Sequence, residues 1–186
     1  MLEEAATRGI YLRVDRCDVG NALPYKEGCF DLTFNNSGLE HVADLDKALG
    51  EVARVTRLGG VFAFNVLNRR YFEWWPLDHD SMVGYRDWQP FYHALSLSEW
   101  TARLSAAGFS LRSVNGYFCE EASRLLALLD CEFSGYLMRK RRSALVSRYN
   151  SRLGVHRFLM RRKIAKLSWR TEPDAGAGYF ITAVRS

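Results

Sequence analysis

The feature that most restricts what this chain can fold into is a run of three segments between Cys29 and Leu67. Cys29 to Asn35 alternates, with Phe30, Leu32 and Phe34 set apart by Asp31 and Thr33, at the two-residue period of a strand. Asp44 to Thr56 carries Leu45, Ala48, Leu49, Val52 and Val55 at helical spacing. Asp44 is placed to cap its start and Gly59-Gly60 to stop the run. Val61 to Leu67 follows as a nearly continuous apolar stretch, the pattern of a strand covered on both faces. Strand, helix and strand in this order predict a βαβ unit, and so an α/β fold built on a parallel sheet.

The flanking segments extend this unit. Residues 1–8 read as the tail of a helix and Tyr11-Leu12-Arg13-Val14 as a short strand. Asp15 to Gly28, with Gly20, Asn21, Pro24 and Gly28, reads as loop. Arg69 to His93 is predicted as a long connection rich in aromatic rings, the usual character of a lid or binding segment. Those rings either wall a pocket for an apolar or planar ligand or cover the sheet edge. Ser96-Leu97-Ser98-Glu99 is a capping box opening a helix through Leu97, Trp100, Leu104 and Ala107, closed by Gly108. Phe109 to Tyr117 and Gly178 to Val184 read as further strands, with a helical stretch over 119–169 between them.

Composition narrows the function classes. The chain of 186 residues is 48% hydrophobic and 25% charged, ordinary for one globular domain. No apolar stretch approaches the ~20 residues that span a bilayer, and Met1-Leu2-Glu3-Glu4-Ala5 is acidic where a signal peptide is basic. Both point to a cytoplasmic protein. Cys17, Cys29, Cys119 and Cys131 are scattered, and Asp78-His79-Asp80 with His93 fits no ligand template, so no metal site is expected. The net charge of +5 is concentrated between Glu132 and Glu172, where arginines and lysines accumulate without one acidic residue. Leu145, Tyr149 and Leu153 run among these cations. The block therefore reads as a basic amphipathic element for a peripheral contact with an anionic membrane, with nucleic acid as the lesser alternative and a solvated face as the plain one.

Three motifs lie in order across this frame: Asp18-Val19-(x)3-Leu23-Pro24-Tyr25-(x)4-Phe30-Asp31-Leu32, then Leu39-Glu40-His41-Val42, then Glu51-Val52-Ala53-Arg54-Val55-(x)3-Gly59-Gly60. Together they resemble the class I, Rossmann-like S-adenosylmethionine-dependent methyltransferases of the small-molecule type. The helix ending in Ala107-Gly108-Phe109 and the final strand resemble the same family. The resemblance implies S-adenosylmethionine as cofactor and a small-molecule or lipid-linked methyl acceptor. It puts Asp18 and Val19 at the adenine ring, and Asn35, Asn36 and Ser37 at the methionine moiety. Leu39 through Val42 would lie beside the reactive end. Ligands of open α/β sheets sit beyond the carboxyl ends of the strands, in keeping with that placement. His41 is either a general base or a positioning histidine, and Asp31 is expected to have a structural role.

The family's glycine-rich turn after the first strand, and the acidic residue ending the second, have no counterpart. The resemblance thus implies one partial domain over residues 1–186, with the first two strands absent and a basic helical insertion at 119–170 before the last strand. In the family's strand order, 3-2-1-4-5-7-6, the Tyr11–Val14 strand loses its only neighbour. The Cys29–Asn35 strand becomes an exposed edge with an uncovered apolar face. A truncated chain, inactive as given, is one expectation; a non-catalytic module that docks through its basic helices is the alternative.

Overall fold

The computed structural model describes residues 2–133, 162 and 164–186. Five strands form one sheet in the order β1-β2-β5-β3-β4, with β1 at Phe30–Asn36, β2 at Thr56–Leu67, β3 at Phe109–Tyr117, β4 at Arg170–Thr171 and β5 at Gly178–Arg185. β1 and β2 are parallel, joined by α2 (Leu45–Val55), which is the βαβ unit the sequence predicts. β5 inserts antiparallel between β2 and β3, with Val61 opposite Val184 and Leu67 opposite Gly178. The short β4 was not expected. The remaining helices are α1 (Leu2–Thr7), α3 (Arg70–Glu73), α4 (His79–Trp88), α5 (Leu97–Ala106) and α6 (Glu120–Phe133). Among the described residues no helix is long and apolar enough to cross a membrane.

The core forms on one face of the sheet. Phe62, Phe64 and Val66 of β2 and Tyr179, Ile181 and Ala183 of β5 point to the same side, as the period of two requires. Leu45, Leu49, Val52 and Ala53 of α2 and Trp100 and Leu104 of α5 close over them. Both helices are held at their starts as read from the sequence: the Asp44 side chain accepts from the Lys47 amide, and Ser96 and Glu99 complete a capping box. α2 stops earlier than its glycines suggest. Thr56 is already extended, and its hydroxyl donates to the Val52 carbonyl at 2.6 Å, so Gly59 and Gly60 fall inside β2.

Two further expectations are corrected. Tyr11–Val14 forms no strand; Ile10, Tyr11 and Leu12 are exposed, with no strand beside them among the described residues to take up their backbone groups. Arg69–His93 is not structureless. Asp78 caps α4 through the Ser81 amide, and Tyr71, Trp75, Tyr85 and Phe91 pack with Ala127 and Cys131 of α6 into a second apolar cluster. Among the described residues β1 has no strand on its outer side, and Leu32 and Phe34 are 59% and 61% exposed. The basic insertion lies mostly outside the described residues.

The loop before β1 is fastened to α2. Glu51 accepts the Leu23 amide at 2.7 Å, and Arg54 donates to the carbonyls of Leu23 and Tyr25 while pairing with Glu51. This seats Val19 against the core. The Arg54 guanidinium, helped by the Leu23 amide, holds the Glu51 carboxyl down at about 2.

Two outcomes follow. Phe64→Ala should lower the unfolding free energy by about 3–5 kcal/mol, while Leu32→Ala should cost far less because its side chain already meets water; urea titrations compare them directly. Glu51 is depressed when folded, so its contribution is complete above the unfolded carboxyl value of about 4.3 and fades as pH falls from there towards 2. Melting curves of Glu51→Gln should therefore lie below the parent at pH 7 and converge with it near pH 2.

Candidate active site

The carboxyl ends of β1 and β2 are joined by an unusual corner. Ser37, just past β1, adopts a left-handed backbone with φ of 49°, a conformation that costs a non-glycine residue energy and needs support. Asn65 of β2 supplies it. Its side-chain oxygen accepts the Ser37 amide at 3.2 Å, and its amide nitrogen donates to the Ser37 hydroxyl at 2.9 Å. Asn35 accepts the Gly38 amide at 3.2 Å, which turns the chain into the short 3-10 helix Leu39–His41.

This one turn is a wall between two cavities. On one side, a groove of about 280 Å3 is lined by Val19, Leu23, Asn35 and Leu39 along with β1 and α2 side chains. On the other side lies a cavity of about 310 Å3, lined by Ser37, Glu40, His41, Asn65, Tyr85, Phe91, Tyr117 and Asp130 among others. The residues expected at the cofactor thus divide. Val19, Asn35 and Leu39 share the groove, and Ser37 faces the second cavity with His41. Asn36 is exposed at the strand end. Asp18 is exposed next to Val19, and its carboxylate accepts from the Gly20 amide and the Asn21 side chain, closing a local Asx turn.

His41 is held at both ring nitrogens. Nδ1 lies 2.6 Å from the Pro90 carbonyl, an acceptor only, so Nδ1 carries the proton. Nε2 is then the basic nitrogen, 3.3 Å from the Gln89 side-chain amide. The ring packs on Phe91 at 4.5 Å. His93 is not part of a metal cluster: its Nε2 donates to the Val42 carbonyl, and among the described residues no group of three or more His, Cys, Asp and Glu side chains is arranged to hold a metal ion.

Sequence reading missed most of the second cavity. Asn65 carries a signal, as the one polar residue in the apolar run Val61 to Leu67. Glu40 lay within a quoted motif but was not singled out. It is 1% exposed, Oε2 has no partner among the described residues, and burial pushes its carboxyl up. Tyr117 is positioned by Gly178, since a Cβ there would come within 2.3 Å of its ring, and its hydroxyl donates to the Val66 carbonyl at 2.8 Å. The Tyr85 hydroxyl bonds Asp130, and burial pushes both Tyr85 and Tyr71 well above the usual phenol range. Glu40 lies 77 residues from Tyr117, and Tyr85 lies 45 from Asp130, separations that no local pattern reports.

A carboxyl whose folded value is raised adds stability only while protonated, and that contribution is lost as pH rises through its folded value. Glu40→Gln should therefore melt higher than the parent at pH 8 and equal to it near pH 4. A variant that melts lower at pH 8 would show that a cation already neutralises Glu40 in solution.

Residues 1–64 match the family described as the methyltransferase domain. A ubiquinone/menaquinone biosynthesis C-methyltransferase of Xylella fastidiosa is 38% identical over 71 residues, which cover 36% of this chain and 28% of that protein. A malonyl-[acyl-carrier protein] O-methyltransferase of Salmonella typhimurium is 26% identical over 137 residues, covering 65% of this chain and 54% of that protein. The chain thus matches between about a quarter and a half of the length of these relatives. Across the whole chain the fold is similar to a Thermotoga maritima crystal structure described as a SAM-dependent methyltransferase, possible histamine N-methyltransferase. That similarity has a TM-score of 0.59 at 17% identity and covers 100% of this chain and 69% of that one. The chain shares the Rossmann-like fold of that methyltransferase structure, and its residues 1–64 match the methyltransferase-domain family.

Proposed function

We propose that this protein takes part in S-adenosylmethionine-dependent methyl transfer to a small-molecule or lipid-linked acceptor. The observation that carries this reading is the Leu39–His41 turn, which separates an apolar groove from an aromatic cavity at the carboxyl ends of two parallel strands. S-adenosylmethionine supplies a methyl group already activated on sulfonium. The work left to the protein is alignment and the removal of a proton.

The residues divide along the wall. Val19 and Leu39 offer apolar surface of the kind an adenine ring covers, and the Asp18 turn fixes the approach of Val19. Asn35, Asn36 and Ser37 end the strand at the crossing, where the methionine portion is expected. Across the turn, His41 Nε2 is the group placed to take a proton from the acceptor, because Nδ1 is committed to Pro90. The chain is read as one partial domain over 1–186, with 119–170 as an insertion that could bring it to an anionic membrane surface. The curated relatives include a quinone-pathway C-methyltransferase and a carrier-protein O-methyltransferase, so the reading leaves the methylated atom open.

Calorimetric titration of the protein with S-adenosylmethionine should show saturable binding. Asp18→Ala, which removes the turn, should weaken it about tenfold, and Asp18→Asn, which can rebuild the turn, should weaken it less. Equal affinity in all three proteins would remove Asp18 from the site. His41→Ala should lower kcat with little change in cofactor affinity.

A further inference from the structure

We propose that the cavity behind the Leu39–His41 turn is selective for a protonated amine carried on an apolar or aromatic body, with Glu40 as its counter-ion. This rests on the methyltransferase reading only for the amine's role as acceptor; binding itself does not require it. The cavity has two carboxylates, Glu40 and Asp130, and no lysine or arginine among its described lining residues, although the chain as a whole is basic. An anionic headgroup would meet two like charges there, whereas a cation would be attracted by both.

The burial of Glu40 points to the same kind of ligand. Its side chain is almost wholly buried at the cavity wall, and one oxygen is without any partner among the described residues. A buried carboxylate in that state is costly unless a cation or hydrogen-bond donor arrives to pair with it. Asp130 already accepts the Tyr85 hydroxyl, which fixes that ring.

The remaining wall suits the same ligand. Phe91 stacks with Tyr85 at 6.0 Å between ring centres and lies 6.4 Å from Tyr71, and Tyr117 closes the side nearest β2. Aromatic faces attract ammonium groups and repel carboxylates, so rings and carboxylates select together for a cation with an apolar body. His41, on the same turn as Glu40, gives the bound ammonium a proton acceptor in Nε2. Once one proton has moved there, the nitrogen lone pair is free to form an N–CH3 bond as the donor's S–CH3 bond breaks. The bond pair leaves with the thioether sulfur, and the methylated ammonium sheds its second proton to water.

The test uses phenethylamine, phenethyl alcohol and 3-phenylpropionate, three probes of like size that differ in charge. Each is titrated calorimetrically into the full chain at pH 7, with and without S-adenosylhomocysteine. Phenethylamine should bind at least tenfold tighter than the other two, and Glu40→Gln should reduce it to the affinity of the alcohol. Asp130→Asn serves as the second variant, expected to weaken the amine alone, and melting curves confirm that both variants are folded. Equal affinity for amine and alcohol, tighter binding of the carboxylate, or an unchanged affinity in Glu40→Gln overturns the proposal. S-adenosylhomocysteine binding without amine binding defeats the amine assignment and leaves the methyltransferase reading standing. Amine binding that depends on Glu40 but comes without S-adenosylhomocysteine binding does the reverse.

Discussion

The structure depends on how β2 is covered. Its residues at alternate positions, Phe62, Phe64 and Val66, are buried under α2 and α5, and its two edges are taken by β1 and β5. Burying those side chains is a large apolar gain, and it requires both helices to lie on the same face of the sheet. Their placement in turn fixes where the loop before β1 is pinned, through Glu51 and Arg54, and where the Leu39–His41 turn must cross from strand to helix. The site is thus a consequence of the core rather than an addition to it. Ser37, one of its residues with a left-handed backbone, is held by a side chain of β2 itself.

How much of this was legible in the sequence follows from which forces are local. α2 and α5 could be read because their caps and apolar stripes fall within a few residues, and β1, β2, β3 and β5 because alternation or a continuous apolar run marks them. The failures have the opposite cause. Tyr11–Val14 has the composition of a strand, but strand formation needs a neighbour, and sequence composition cannot supply one. α4 carries Gly84 in its interior and only Tyr85 fully buried, so its apolar stripe is too weak to outweigh the turn-forming residues around it. α2 ends at Thr56, as its apolar stripe indicates, but what stops it is a threonine with a backbone partner, and the glycines fall inside the following strand.

The candidate site divides in the same way. The motif Leu39-Glu40-His41-Val42 marks its centre, and His41 stands out within it as the titratable imidazole. What that turn separates could not be read. Leu39 faces one cavity while its two successors face another, because a 3-10 turn distributes three consecutive side chains around its axis. The residues that complete the second cavity come from β2, α3, α4, β3 and α6, spread over residues 65–130.

The position of β5 has a kinetic meaning. It follows β1 to β4 in the chain, yet it lies between β2 and β3, so Val61 must find Val184 across more than a hundred intervening residues. Until it does, β2 and β3 present facing edges with no strand between them, and Tyr117 has no Gly178 to lie against. Contacts this distant in sequence close slowly, because the loop entropy is lost before any pairing rewards it. Pairing of β5 is what makes the sheet continuous, and the same strand brings Gly178 against the Tyr117 ring that walls the second cavity.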